Sequence, residues 1–394
     1  PNTLALNFST GKGVLATLVH VLVSQRLLDY DTAIASYWPE FAVNGKAEIT
    51  LRAVMSHQAK LFAINSIDAN NETMLDWDKM LHLVAAMPTT EPDDSESYTS
   101  AYSALVYGWV LGGLIEAVTD LSLAAALRHY LTEPLGIADS CYFGVPVDKV
   151  NKVAKLAKDF NSETVDSSKL RNKRHKPILK QESEQTLATY QQLPSYECWQ
   201  HLAVADKSVT TDKTLNATQI NRLYFDHSAI NAGNYRAALV PASKQPIDYY
   251  DGQVMQSVIP AANGVASAQA LAIIYAMLAN GGEWQGKTLI DEATFAQLSE
   301  VQVKGTDAVM PAEMNWRLGY HRLFSICQDG DDKKTARSVK QGFGHMGYNG
   351  SVAWCEPTRK LSFAFIHNFD VTMLNDIRQF ALSEAVLSLI DQNR

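Results

Sequence analysis

Phe8-Ser9-Thr10-Gly11-Lys12-Gly13-Val14-Leu15 opens a segment in which Val14, Leu15, Leu18, Val19, Leu22 and Val23 repeat at helical spacing. The spacing predicts a helix over Gly13 to Leu28 with a broad buried face and Ser9 at its head. Residues three apart on a helix share a face, so the Lys12 amine can reach the Ser9 hydroxyl. A serine hydroxyl is a poor nucleophile unless a base stands beside it, and an amine serves if desolvation or nearby positive charge depresses its pKa. A helix start also presents unsatisfied backbone N–H groups at the positive end of the dipole, which can hold an oxyanion. The bland reading is that Ser9 only caps the helix and Lys12 is exposed. The tetrapeptide alone does not decide, because average composition gives about one Ser-x-x-Lys in a chain of this size.

The chain has 394 residues, 46% hydrophobic and 19% charged, enough for one large or two ordinary domains with a sizeable core. A formal net charge of −8 argues against nucleic acid or an anionic membrane as partner and is compatible with a small neutral or cationic substrate. Cys141, Cys198, Cys327 and Cys355 are widely spaced with no Cys-x-x-Cys pair, and they read as separate thiols. Without a disulfide pattern, the cytoplasm is the expected compartment. The longest apolar stretch, Gly13 to Val23, is broken by Thr17 and His20 and falls short of the ~20 residues of a spanning helix. Pro1 is not an initiator methionine, so residues are expected upstream, and a signal peptide among them is compatible with the sequence.

Further along, Ile49 to His57 reads as a helix capped by Thr50, followed by helices at Leu105 to Ala117, Leu121 to Leu131 and Ala268 to Ala279. Residues 149–251 are polar and charged, with a basic cluster at Lys169, Arg171, Lys173, Arg174, His175 and Lys176 that reads as a solvated excursion. In the C-terminal third, Leu318 to Phe324, Val339 to Phe343, Ser351 to Cys355 and Leu361 to His367 read as antiparallel strands joined by hairpins. A helix from about Met373 to Ile390 closes the chain.

Two further segments carry chemistry. Tyr102-Ser103-Ala104-Leu105 places a phenol just before a helix, where it can shuttle protons, with Tyr98 and Tyr107 as rivals. Gly342-Phe343-Gly344-His345-Met346-Gly347-Tyr348 sets a histidine on a glycine-rich strand edge that a substrate backbone can approach closely. No Gly-x-Ser-x-Gly elbow or His-Glu-x-x-His spacing occurs, and no metal or cofactor is expected. His57 reads as structural, and Trp38, Trp109 and Trp316 read as core residues with a second reading as walls of an acyl pocket.

Taken in this order, Ser9-x-x-Lys12, Tyr102 and His345-Met346-Gly347 resemble the serine β-lactamase and penicillin-binding protein superfamily, in its class C-like branch with family VIII carboxylesterases and D-amino-acid peptidases. Arg26-Leu27-Leu28-Asp29, Tyr37-Trp38-Pro39-Glu40-Phe41, Met55-Ser56-His57, Glu133-Pro134-Leu135-Gly136 and Ile259-Pro260-Ala261-Ala262-Asn263-Gly264 look like landmarks of the same family. The resemblance covers most of residues 1–145 and 255–394. It implies that Ser9 is acylated, Lys12 is the base, Tyr102 assists proton transfer, and His345 with Gly347 lines the substrate. The backbone N–H groups of Ser9 and Tyr348 would form the oxyanion hole.

There are departures. Ser103-Ala104 follows Tyr102 where β-lactamases have x-Asn, and His345 replaces a lysine that helps hold a lactam carboxylate. Both favour an ester or amide over a lactam. Lys60 stands where relatives carry glycine. Relatives also have a helix and two strands before the nucleophile, so the C-terminal sheet is expected to lack its N-terminal strands and to keep an unpaired edge. The expected fold is α+β. Residues 1–28 and 255–394 would form an α/β domain with an antiparallel sheet, and residues 29–254 a mainly helical domain with the site in the crevice between. The expected activity is hydrolysis of small carboxylic esters through a Ser9 acyl-enzyme. A D-amino-acid peptidase, a weak β-lactamase and a silent scaffold are the alternatives. No nucleic acid, membrane span or particular oligomer is implied.

Overall fold

The computed structural model describes residues 1–157, 184–205, 214–327 and 339–393. The first helix runs Thr10–Ser24, and every residue from Thr10 to Val23 is buried. Its polar interior positions are paired, as burial requires. Thr17 Oγ1 lies 2.7 Å from the Tyr320 hydroxyl, and the His20 ring nitrogens lie 2.7 Å from the Tyr30 hydroxyl and 2.9 Å from the Leu318 carbonyl.

Strands β1 (Leu4–Leu6), β2 (Cys141–Tyr142) and β3 (Val265–Ser267) form a small antiparallel sheet in the order β1-β3-β2. Strands β4 (Glu283–Trp284) and β5 (Lys287–Thr288) make a hairpin. Strands β6 (His321–Arg322), β7 (Phe343–Met346), β8 (Val352–Glu356) and β9 (Leu361–Phe365) form the main antiparallel sheet in sequence order. Side chains alternate across that sheet. Phe343, Ala353 and Cys355 face a core shared with the Thr10–Ser24 and Ala268–Ala279 helices, while Met346, Val352 and Trp354 face a second core that includes Ile377, Phe380 and Leu387. The sheet thus lies between helices, as an α+β fold requires. Among the described residues β9 pairs with β8 alone, and its residues are half-buried.

Several elements differ from their sequence reading. The Ile49-to-His57 helix shortens to Leu51–Met55, capped by Thr50 as expected and stopped by His57, whose φ is 59°. Leu121 to Leu131 divides into Leu123–Leu127 and a π-helical turn at Arg128–Thr132. The strand expected at Leu318 to Phe324 keeps only β6, because Arg317 N–H donates to Tyr320 O at 2.8 Å and Gly319 takes φ 83°, which makes a turn of the preceding residues. Val339 to Phe343 becomes a strand only from Phe343 onward. The last helix begins at Arg378, after the chain folds back so that Met373 N–H donates to Tyr348 O.

The polar region 149–251 contains four helices among its described residues: Glu184–Gln191, Tyr196–Ala205, Ala217–Arg222 and Ala232–Leu239. They are not merely solvated, since Trp199, Ile220, Tyr224, Phe225 and Ala238 are buried in the second core. The basic cluster at Lys169 to Lys176 lies outside the described residues. The thiols also need correction: Cys198 and Cys327, 129 residues apart, form a disulfide, and Cys141 and Cys355 are buried and free. Trp199 beside one cysteine and Ser325 near the other are both buried, and a pairing across 129 residues is one that spacing does not reveal. Absence of a disulfide therefore no longer argues for a reducing compartment. Among the described residues no single helix is long and apolar enough to cross a membrane.

Candidate active site

The site begins at the turn between β1 and the first helix. Asn7 N–H donates to Gly264 O at 2.9 Å, and Phe8 takes φ 48°, a left-handed conformation costing a bulky residue about 1–3 kcal/mol. This turn delivers Ser9 into helical geometry, with φ −68° and ψ −8°, and its side chain makes no capping bond. Ser9 thus stands at the N-cap position without its side chain capping the helix. Its Oγ lies 2.8 Å from Lys12 Nζ and 3.3 Å from Ala261 O.

Lys12 is fully buried, and among the described residues no carboxylate pairs with it. Burial holds its pKa well below the ordinary lysine value. The amine donates to Ala261 O at 2.8 Å, which in the neutral form leaves its lone pair free to accept the Ser9 hydroxyl proton. Ala261 was visible in the sequence only as part of a landmark. Its carbonyl is placed by Asn263, whose Oδ1 accepts from Ile259 N–H at 2.9 Å and whose Nδ2 donates to Val254 O and Ser257 O, each at 2.7 Å. Gly108 makes room for the loop, since a Cβ there would lie 2.6 Å from Ala261 N.

Tyr102 joins the pair from the other side. It lines the same cavity as Ser9, and its ring centroid is 5.1 Å from Lys12 Nζ. Burial raises the phenol pKa, so Tyr102 keeps its proton at neutral pH. The ring stacks on Trp316 at 5.4 Å and 8°. Its backbone is held by groups far away in sequence: Ser103 N–H donates to His57 Nδ1 at 3.2 Å, Ser103 Oγ donates to Leu61 O at 2.6 Å, and Tyr102 N–H donates to Asp307 Oδ1 at 3.2 Å. His57 is thus structural, as expected. The rivals stand elsewhere. The Tyr107 hydroxyl is buried without a partner beside Gly319, and Tyr98 borders a different surface hollow.

Asp307, which the sequence reading passed over, is 2% exposed and has no cationic partner among the described residues. It accepts instead from Ser100 Oγ at 2.7 Å, Val309 N–H at 2.9 Å, Met310 N–H at 3.0 Å and Trp316 Nε1 at 3.0 Å, besides Tyr102 N–H. One carboxylate thus fixes Tyr102 and two hydrophobic walls, Met310 and Trp316. No local pattern marks it, because Ser100 and Tyr102 lie more than two hundred positions away.

Strand β7 forms the opposite side. A Cβ on Gly347 would lie 2.6 Å from Asn7 O and 3.1 Å from Thr10 Oγ1, so only a residue without a side chain lets the strand lie against the Ser9 turn. Tyr348 follows, its ring 6.0 Å from that of Phe8. Among the described residues, neither the Ser9 nor the Tyr348 amide donates a hydrogen bond. His345 Nδ1 lies 2.9 Å from Met346 O, a pure acceptor, so this nitrogen carries the proton and Nε2 is a buried lone pair without a partner among the described residues. Burial, with the neighbouring His321 and Lys12, pushes the His345 pKa well down.

Ser9, Tyr102, His345 and Tyr348 open onto one cavity of about 370 Å³. Trp316 is on its wall, whereas Trp109 is core and Trp38 packs against that core. Lys60, exposed and paired with Glu91, has φ 56°, a left-handed conformation that glycine would take without strain. A hydroxyl with an adjacent neutral amine, a protonated phenol and two free amides is a set suited to acyl transfer.

The beta-lactamase family model matches residues 1–386. The chain is 30% identical over 364 residues to the esterase/beta-lactamase LipL of Mycobacterium tuberculosis, a match covering 92% of this chain and 68% of that protein. Among solved structures, it is similar to a penicillin-binding protein homolog from Caulobacter crescentus, with TM-score 0.69 and 27% identity over 98% of this chain and 84% of that one. A family VIII carboxylesterase gives TM-score 0.70 at 21% identity, covering 99% and 84%, and this likeness shows the fold alone.

Proposed function

The chain belongs to the beta-lactamase family and is a hydrolase of that fold, and from this we propose that it is a serine esterase acting on small carboxylic esters through an acyl-enzyme at Ser9. The supporting observation is the 2.8 Å approach of Lys12 Nζ to Ser9 Oγ in a site whose burial favours the neutral amine. In the first half-reaction Ser9 Oγ attacks the ester carbonyl carbon as its proton passes to Lys12 Nζ. The carbonyl oxygen becomes an oxyanion held by the Ser9 and Tyr348 amides. Collapse breaks the bond to the alcohol oxygen, which takes a proton from Tyr102, and the phenol is restored from the Lys12 ammonium. Water then attacks the acyl-enzyme by the same path, releasing the acid and regenerating Ser9. Gly347 keeps β7 close enough for the substrate to lie between His345 and the Ser9 turn.

Ester is preferred over lactam because no lysine or arginine side chain lines the cavity among the described residues to hold a carboxylate. Steady-state assays with p-nitrophenyl acetate and butyrate, beside nitrocefin and a D-Ala-D-Ala peptide, test the reading. Turnover of the esters above the other two is expected. A protein that hydrolysed nitrocefin or the peptide faster than either ester would not be the esterase proposed.

A further inference from the structure

Among the described residues no lysine or arginine side chain lines the cavity to pair with an anion. His345 Nε2 is a lone pair, and among the described residues neither it nor the Tyr250 hydroxyl has a partner. Among the described residues the single formal charge on the wall is negative: the Asp370 carboxylate, exposed at the mouth and without a hydrogen bond or ion pair there. Aromatic rings gather beside it. Tyr249, Tyr250 and Tyr348 stand 5.9, 6.3 and 6.0 Å from Phe8, at interplanar angles of 78°, 67° and 52°, which makes a corner of rings rather than a flat stack. Asp370 lies close enough to Tyr250 and Tyr348 to add to the rise that burial gives both phenols. Ring faces attract an alkylammonium through their quadrupoles, and a nearby carboxylate adds a Coulomb term.

Resting on the Ser9 esterase reading, we propose that the mouth of the cavity, lined by Asp370 and by the rings of Phe8, Tyr250 and Tyr348, is a subsite for an ammonium group. The esters handled best then carry a quaternary ammonium on the part that projects past Ser9. A carboxylate at that place meets Asp370 and is rejected. The cation needs no dedicated ion pair, since a tetraalkylammonium is weakly hydrated and gains most from the ring faces.

Two matched pairs of probes separate charge from shape. One is butyrylthiocholine against the thioester in which tert-butyl replaces trimethylammonium. The other is the p-nitrophenyl ester of γ-trimethylammoniobutyrate against its tert-butyl isostere. In at least one pair kcat/KM is expected to favour the cation by about fivefold, the sum of a cation–π contact and an exposed charge pair. That ratio is expected to shrink between about 20 mM and about 0.5 M salt, and to fall toward one in Asp370→Asn. Ratios of one or less in both pairs, or a preference unchanged in Asp370→Asn, overturn the subsite while leaving the esterase reading intact. Failure to turn over any ester sinks that reading and the subsite with it.

Discussion

Asp307 Oδ1 accepts the Tyr102 amide at 3.2 Å, so the backbone that carries the Tyr102 phenol into the cavity is held by a residue 205 positions away. Replacing Asp307 by Asn keeps the volume but turns an N–H₂ group toward the Trp316 and Ser100 donors. Hydrogen bonds to a buried charge contribute about 1.5–3 kcal/mol each, and two donors would lose their acceptor. For Asp307→Asn we expect kcat to fall by about ten- to a hundredfold with KM for a short ester little changed, because Tyr102 loosens while the pocket persists. In Tyr102→Phe the effect of Asp307→Asn on kcat is expected to vanish. Independent, multiplying losses would show that Asp307 only supports the fold.

In the proposed mechanism Lys12 serves as base only when neutral. Its folded pKa lies well below the ~10.4 of a free lysine, so activity is expected to be full above the depressed value and to fall as pH drops through it. A profile of kcat/KM for p-nitrophenyl butyrate should therefore show an acid limb far below pH ~10. Lys12→Arg, whose guanidinium holds its proton, should lose about 10²- to 10⁴-fold with no recovery at higher pH. An acid limb at the ordinary lysine value would contradict the neutral-amine site.

Gly108→Ala tests the Ala261 carbonyl. The new Cβ would press on Ala261 N at 2.6 Å and Ala261 Cβ at 3.0 Å. Glycine to alanine inside a helix gains at most about 1 kcal/mol, less than the roughly 1–3 kcal/mol of overpacking. Net destabilisation is expected in a thermal melt, with kcat down by about tenfold as Ala261 O leaves Lys12. A more stable variant of full activity would show that the loop yields freely.

The Cys198–Cys327 disulfide ties the Tyr196–Ala205 helix to the segment after β6 across 129 residues. Closing so long a loop stabilises by about 2–4 kcal/mol, so reduction, or Cys198→Ser with Cys327→Ser, should lower the melting temperature by several degrees. Equal melting temperatures with and without reductant would mean that the bond contributes nothing.

How far the sequence could be read follows from the range of each interaction. Ser9 and Lys12 were legible because a helix places residues three apart on one face, and β7 because its glycines flank a histidine. Ala268–Ala279 was read to the residue, since apolar spacing and Asn280-Gly281-Gly282 mark both ends. Asp307, Ala261 and the disulfide were not legible, because each acts across a hundred residues or more and leaves no periodic trace. The short strands were overextended for a related reason: aromatic and β-branched composition marks a buried segment, but the positive φ of Gly319 decides where pairing starts. The helices of 184–239 were hidden because they are short and their apolar residues are spaced among uncharged polar ones.

The most direct measurement is mass-spectrometric mapping of the covalent adduct left by a fluorophosphonate, run beside hydrolysis of p-nitrophenyl butyrate. One adduct on the peptide bearing Ser9 is expected, slow to form in Lys12→Arg and absent from Ser9→Ala, together with loss of hydrolysis in Ser9→Ala. An adduct on another residue, or ester hydrolysis that survives Ser9→Ala, would show that the Ser9–Lys12 pair is not where this protein does its chemistry.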